Sequence, residues 1–191
     1  MQSSMFTRRE LTWLGLLGLF GLAAYFSGLD FYVAESLAGR ASHGISLFFS
    51  YQYFVIYILT SLIVLSIRHR RAAAALSLAI VLLFVMHLAI TGFAPRARPI
   101  QALPEGDQLM RLIRWSGASS SFFSAHTASV VAVCAVFIIL DFHPIAAVAL
   151  GVPIILSRIT LIQHYPSDIL GGVIFGYVTM KVAYWAVRKK R

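Results

Sequence analysis

Charge is scarce in this chain. Of its 191 residues, 59% are hydrophobic, 12% are charged and only 7 are acidic. Soluble domains carry about twice that share of charge, so a sizeable soluble domain is excluded. Cysteine is nearly missing too. Cys134 stands alone inside an apolar run, which rules out an internal disulfide and a cysteine-based metal cluster. Repeats, low-complexity tracts and linker-like stretches are absent. Residues 1–191 are therefore expected to form a single membrane-embedded domain.

What the chain does have is apolar length. Several windows hold close to 20 apolar residues, enough to cross a hydrocarbon core of ~30 Å. The pattern predicts an all-α integral membrane protein, with six transmembrane helices in one bundle. The expected spans are Leu11–Gly28, Ile45–Ile67, Ala72–Phe93, Ala125–Leu140, Ile145–Ile162 and Asp168–Val187. A short interfacial helix is expected in the connection that carries Asp30, Glu35, Arg40 and His43. Gly15, Gly18 and Gly21 in the first span invite close approach of a neighbouring helix. The first apolar run is longer than the core of a signal peptide, which favours an uncleaved helix.

The formal net charge of +9 does not indicate nucleic acid. The basic residues sit at the ends of apolar runs: Arg8 and Arg9, then Arg68, Arg70 and Arg71, then Arg188 to Arg191. By the positive-inside rule, that side and both termini are cytoplasmic. The opposite side receives the 29–44 connection, the 94–124 loop and the 163–167 turn. The loop keeps Arg96, Arg98, Arg111 and Arg114 against the charge bias, as a protein that holds an anion would. Contact with lipid phosphates accounts equally well for Arg111 and Arg114.

Three polar clusters share that outer boundary: Arg96-Ala97-Arg98-Pro99, Ser124-Ala125-His126, and Arg158 with His164 and Asp168. Ionisable groups at membrane depth are costly, so a functional site is the default reading. An ordinary boundary Arg and an interfacial His form the bland alternative for the last cluster. Together the residues point to phosphoryl transfer. Arginines grip phosphate bidentately. Ser124 opens a helix whose free N–H groups make an anion site. His126 and His164 can divide the work of acid and nucleophile. Asp168 lies four residues after His164, and a carboxylate on one imidazole nitrogen leaves the other free to attack. Pro166 interrupts the helix that would put them on one face. A metal centre is disfavoured, because an adjacent pair of arginines repels a cation.

These residues resemble the type-2 phosphatidic acid phosphatase family. Ser157-Arg158, five residues, His164, three residues and Asp168 match its SRxxxxxHxxxD motif in full. Phe123-Ser124-Ala125-His126 is similar to its PSGH motif, and Arg98-Pro99 to the end of its KxxxxxxRP motif. The resemblance implies His164 as a nucleophile forming a phosphohistidine, Asp168 as its orienting carboxylate and His126 as the acid. It also implies Arg98, Arg158, Ser124 and the backbone of Ala125 as the phosphate holders, with neither metal nor cofactor. Thr91 stands where the family has lysine, and Arg96 is the candidate replacement cation. Phe123 replaces the motif's proline and Ala125 its glycine.

The expected function is metal-independent dephosphorylation of a membrane lipid phosphate or pyrophosphate at the outer face of a bacterial cytoplasmic membrane. The resemblance implies polyprenyl pyrophosphate, phosphatidate, phosphatidylglycerol phosphate or lipid A phosphates as substrates. The partners are the bilayer and the lipid, and the oligomeric state is open. Two alternatives are a lipid phosphotransferase using the same phosphohistidine and a non-catalytic lipid-binding or transport protein. Of the remaining polar and aromatic residues, His87 is read as a paired structural histidine, His69 as a solvated flank and His143 as lying on the wrong side. Phe48, Phe49, Tyr51, Tyr53, Phe54 and Tyr57 are read as interfacial anchors, or more weakly as a lining for acyl chains. Glu105 and Asp107 are read as loop solvation.

Overall fold

The computed structural model describes residues 5–37, 43–93, 96–102 and 120–189. The expectations for Arg40, Glu105, Asp107, Arg111, Arg114, Lys190 and Arg191 lie outside those residues. Every regular element among them is helical: α1 (Arg8–Phe26), α2 (Leu29–Leu37), α3 (His43–Phe48), a π-helical turn (Phe49–Tyr53), α4 (Phe54–Arg68), α5 (Arg70–Phe93), α6 (Pro99–Ala102), α7 (Ala125–Ile139), α8 (Pro144–Thr160) and α9 (Pro166–Lys189).

The starts of these helices follow from local chemistry. Thr7 and Glu10 form a reciprocal capping box at α1, satisfying two of the free N–H groups there. Ser124 caps α7 through the amide of Thr127. Pro144 and Pro166 open α8 and α9, positions where a missing N–H costs nothing. Pro166 thus begins a helix, and His164 lies outside it.

Three helices among the described residues are long and apolar enough to cross a membrane, Gly44–Arg68, Arg70–Phe93 and Pro166–Arg188, and a fourth counts if α1 and α2, bent by 78°, form one span. This is fewer than the six expected spans. The reason is length: α7 has 15 residues and α8 has 17, about 22 and 26 Å at 1.5 Å per residue. Both give way to irregular backbone at their site ends, next to Ser124 and Leu161.

α7 is the centre of the packing. Thr127, Ala128, Val130, Ala132, Val133 and Val136 are all buried. Large apolar side chains such as Leu19, Phe20, Ile63, Phe84 and Ile145 instead face outward, as a lipid-facing surface requires.

The closest helix contact is α7 against α9. A Cβ at Gly176 would lie 2.3 Å from the Ala128 carbonyl oxygen, and one at Gly172 would lie 2.7 Å from that of Ser124. Only glycine permits this approach, and the pair is a small-xxx-small stripe. α1 packs on α9 at Gly18 and Gly21, but less tightly than α7 does, and Gly15 takes no part. A Cβ at Gly15 would meet nothing within 4 Å, and at Gly21 only Leu170 at 3.7 Å. Space between α1 and α9 remains. It forms a cavity of about 430 Å³ lined by Gly18, Gly21, Leu170 and Ile174, with Arg96 and Ser167 at its polar end.

Candidate active site

Three irregular segments, residues 96–98, 120–124 and 161–165, meet the first turn of α9 at the site. Backbone hydrogen bonds stitch them together. Ser121 N–H donates to the Arg96 carbonyl at 2.9 Å, Ile100 N–H to that of Ile162 at 2.7 Å, and Ser124 N–H to that of Asp168 at 3.1 Å. Buried backbone groups must be paired, so these bonds bring sequence-distant motifs to one level.

His164 is buried and gripped at both nitrogens. Its Nε2 lies 3.1 Å from Nη1 of Arg98, and its Nδ1 lies 2.8 Å from the Ser121 carbonyl oxygen. Burial, reinforced by Arg158 and Arg98, holds the imidazole well below the ordinary histidine pKa. Arg98 also donates to the carbonyls of Gln163, at 3.1 Å, and Ser120, at 3.2 Å.

Arg158 is buried as well. Its Nη1 donates to Ser50 Oγ, while its Nε finds no partner among the described residues. A buried donor left unpaired costs about 1–3 kcal/mol, and an anion in the site would satisfy it. Ser124 is fully buried, with its Oγ accepting from the Thr127 hydroxyl at 3.1 Å. His126 follows on the first turn of α7, its ring 4.3 Å from that of Phe54, and it interacts electrostatically with His164, Arg158 and Arg98. His164, His126, Asp168, Arg98, Arg158, Ser124 and Ala125 thus belong to one neighbourhood.

Two relationships differ from the sequence expectation. Asp168 does not hydrogen-bond His164: its Oδ2 is 3.7 Å from Nδ1 and accepts instead from the Tyr165 amide at 2.9 Å. The reason is Pro166, which places the two residues on either side of a helix start. Arg96, considered as a second phosphate ligand, is engaged by carboxylates. It donates to Asp168 Oδ1 at 2.6 Å and to Asp30 Oδ2 at 2.8 Å, and its guanidinium lies 4.1 Å from the Tyr165 ring centroid. Thr91 turns back on its own helix, bonding the Leu88 carbonyl at 2.8 Å.

Several residues at the site were missed. Asp30, from α2, accepts from the Ser167 amide at 2.9 Å as well as from Arg96. A lone acidic residue beside an apolar run was its only signal in sequence. Ser50 and Tyr51 come from the π-helical turn; Tyr51 Oη accepts from Gln163 Nε2 at 3.1 Å. Such turns cluster at functional sites, but nothing in the sequence marks one. Tyr57, also read as an anchor, is buried and donates to the Ala147 carbonyl at 2.9 Å. His87 abuts Phe123, ring centroids 5.6 Å apart, and hydrogen-bonds the Phe123 backbone, in line with a structural histidine, while its buried Nδ1 has no partner among the described residues.

The family model described as PAP2 superfamily matches residues 70–191. No curated protein matches the chain. Among solved structures, the chain is similar to one described as the first transmembrane PAP2 type phosphatidylglycerolphosphate phosphatase from Bacillus subtilis. The TM-score is 0.66 at 17% identity, covering 94% of this chain and 96% of that one. At that identity the likeness establishes the fold.

Proposed function

This chain belongs to the PAP2 superfamily, hydrolases of phosphate esters, and from that premise we propose that it dephosphorylates a membrane lipid phosphate or pyrophosphate through a phosphohistidine on His164. The observation that carries this reading is His164 itself: Nδ1 held by a carbonyl, Nε2 facing a guanidinium. That arrangement keeps a lone pair on Nε2, where a phosphorus held by Arg98 would sit.

In the first step Nε2 attacks phosphorus and the bond to the lipid oxygen breaks. His126 gives its proton to that departing oxygen. In the second step a water oxygen attacks the phosphohistidine, the N–P bond breaks, and His126 takes the water proton. Inorganic phosphate and a lipid alcohol, or a lipid monophosphate, are the products. Arg98, Arg158, Ser124 and the Ala125 amide hold the phosphoryl oxygens. The unpaired Nε of Arg158 and the N-terminus of α7 are donors suited to charge that builds in the transition state.

The substrate class follows from the setting. The cavity between α1 and α9 is apolar except where Arg96 and Ser167 close it, and it would take one hydrocarbon chain of the lipid. The bundle reading is six membrane segments: α1, α3 with α4, α5, α7, α8 and α9. The basic ends of α1, α4, α5 and α9 lie in the cytoplasm, and residues 1–191 act as one domain. The site then faces the exterior of a bacterial cytoplasmic membrane.

The test is phosphate release by the purified protein in detergent with EDTA. The panel is phosphatidate, phosphatidylglycerol phosphate, polyprenyl pyrophosphate and lipid A phosphates, each beside His164→Ala. Release that survives chelation and is lost in the variant supports the proposal. Release that persists in His164→Ala overturns it. A phosphorylated lipid product without free phosphate means transfer to a lipid, and binding without turnover means a non-catalytic protein.

A further inference from the structure

The mechanism above leaves Asp30 and Arg96 without a task, although they form a buried polar network with Ser167 and Asp168. Asp30 is 3% exposed and Asp168 fully buried. Arg96 Nη2 meets Asp30 and its Nη1 meets Asp168, at 2.8 and 2.6 Å. Asp30 also takes the Ser167 amide and hydroxyl, so it grips the first turn of α9 from α2. Arg96 Nη1 donates to Ser167 Oγ at 2.7 Å as well. The Arg96 backbone joins the neighbouring strut: its N–H donates to Ser120 Oγ at 3.0 Å, and its carbonyl accepts from Ser121.

Both groups beside His164 Nδ1 therefore hang on one residue. The Ser121 carbonyl is held through the Arg96 backbone, and Asp168 through the Arg96 side chain. Two carboxylates on one guanidinium leave a surplus of one negative charge. That surplus sits behind the nitrogen that must carry positive charge when Nε2 becomes phosphorylated.

Resting on the phosphohistidine reading, we propose that Asp30 and Arg96 are positioning residues for His164: Arg96 fixes the Ser121 carbonyl and Asp168 against Nδ1, and Asp30 fixes Arg96 and supplies the surplus charge. Neither touches the phosphoryl group. A single pair, Arg96 with Asp168, would neutralise the carboxylate that His164 needs. The second carboxylate restores it.

The charged and titratable groups facing His164 are Arg98, Arg158 from α8, Asp168 from α9, His126 from α7 and His87 from α5. Four of the five, Arg98, Arg158, His126 and His87, are basic or can become so, against the one carboxylate of Asp168, so removing Asp30 makes the surroundings more positive. Protonation of His164 then becomes harder.

The experiment compares wild type, Asp30→Asn, Arg96→Lys, the double variant and His164→Ala on the preferred lipid phosphate. Asp30→Asn is expected to lower kcat by about 10- to 100-fold, the usual effect of losing a supporting partner. KM should stay within about twofold, because no phosphate contact is lost. The acid limb of kcat/KM should move to lower pH by about half a unit or more. Arg96→Lys keeps the charge but loses the fork, so kcat should fall with the limb in place. The double variant should be no slower than the slower single one, since both act on one path.

In Asp30→Asn, an unchanged kcat or a fall in kcat with an unmoved acid limb overturns the proposal, and so do additive losses in the double variant. Should Asp30→Asn not purify as a folded protein, the kcat against KM split of Arg96→Lys decides it. Should the wild type release no phosphate from any lipid, the functional reading fails separately. The network is then judged by the pH titration of the His164 imidazole ¹⁵N resonances, which must move to lower pH in Asp30→Asn or the proposal fails as well.

Discussion

Arg98 Nη1 lies 3.1 Å from His164 Nε2. A guanidinium has donors only, so Nε2 must be the acceptor and Nδ1 must carry the proton, which it gives to the Ser121 carbonyl 2.8 Å away. The tautomer of His164 is thus set by two contacts that the same loop system provides. Under the proposed mechanism, the nitrogen left free to attack is the one that faces Arg98.

Replacing Arg98 by lysine should therefore cost more than a charge-conserving change suggests. Lysine cannot face Nε2 while also bonding the carbonyls of Gln163 and Ser120, as Arg98 does. We expect kcat/KM to fall by about 10²-fold, measured as phosphate release, with Arg98→Ala lower still.

The pH profile should extend further into acid than an ordinary histidine allows. His164 must be neutral to attack, and burial beside Arg158 and Arg98 pushes its pKa well below the ordinary histidine value of 6.5. The acid limb of kcat/KM should thus fall well below pH 6.5, where a limb at or above that value would contradict the assignment. The same shift has a stability sign. The unfolded chain takes up protons below the unperturbed histidine pKa and the folded one does not, so stability should decline as pH falls through that range.

Gly176→Ala should destabilise the bundle. The new Cβ would sit 2.3 Å from the Ala128 carbonyl oxygen, and moving α7 off α9 also moves Ser124 away from Asp168. Overpacking of this kind costs about 1–3 kcal/mol, to be read as a lowered melting temperature in detergent. Gly15→Ala, with nothing within 4 Å, should leave the melting temperature unchanged or raise it.

Filling the cavity between α1 and α9 should change which lipids are used. A Cβ at Gly18 has room, its nearest neighbour being Ile174 Cδ1 at 3.9 Å, and a leucine there would extend into the cavity that Gly18 lines. Gly18→Leu should raise KM for a long-chain lipid phosphate severalfold, and leave a short-chain, water-soluble analogue unaffected. Equal effects on both would remove the cavity from substrate binding.

Much of the site was legible in the sequence because its chemistry is local. His164 and Asp168 lie four residues apart, Ser124 announces a helix start by its type, and arginines that run against the charge bias of the chain stand out. Asp30 was not legible. Its partners Arg96 and Ser167 are 66 and 137 residues away, and an isolated carboxylate at a membrane boundary looks the same whether it is solvated or paired. The role of Tyr51 was hidden by composition. An aromatic-rich run at a helix start reads as an interfacial anchor until the π-helical turn rotates one ring toward Gln163.

The sequence by itself determined the membrane setting, the apolar helical character and which polar residues are candidates for the site. Apolar length, charge placement and motif spacing are properties of the linear chain, and each has an energetic cost that the bilayer makes severe. Only the tertiary structure decided how those residues are paired. It assigned Arg96 to two carboxylates, Asp168 to the Tyr165 amide and His164 to the Ser121 carbonyl, and it set the lengths of α7 and α8. Pairing depends on which buried donors and acceptors meet when helices pack. The glycines at 172 and 176, which let α7 settle onto α9, fix that register through contacts no linear pattern specifies.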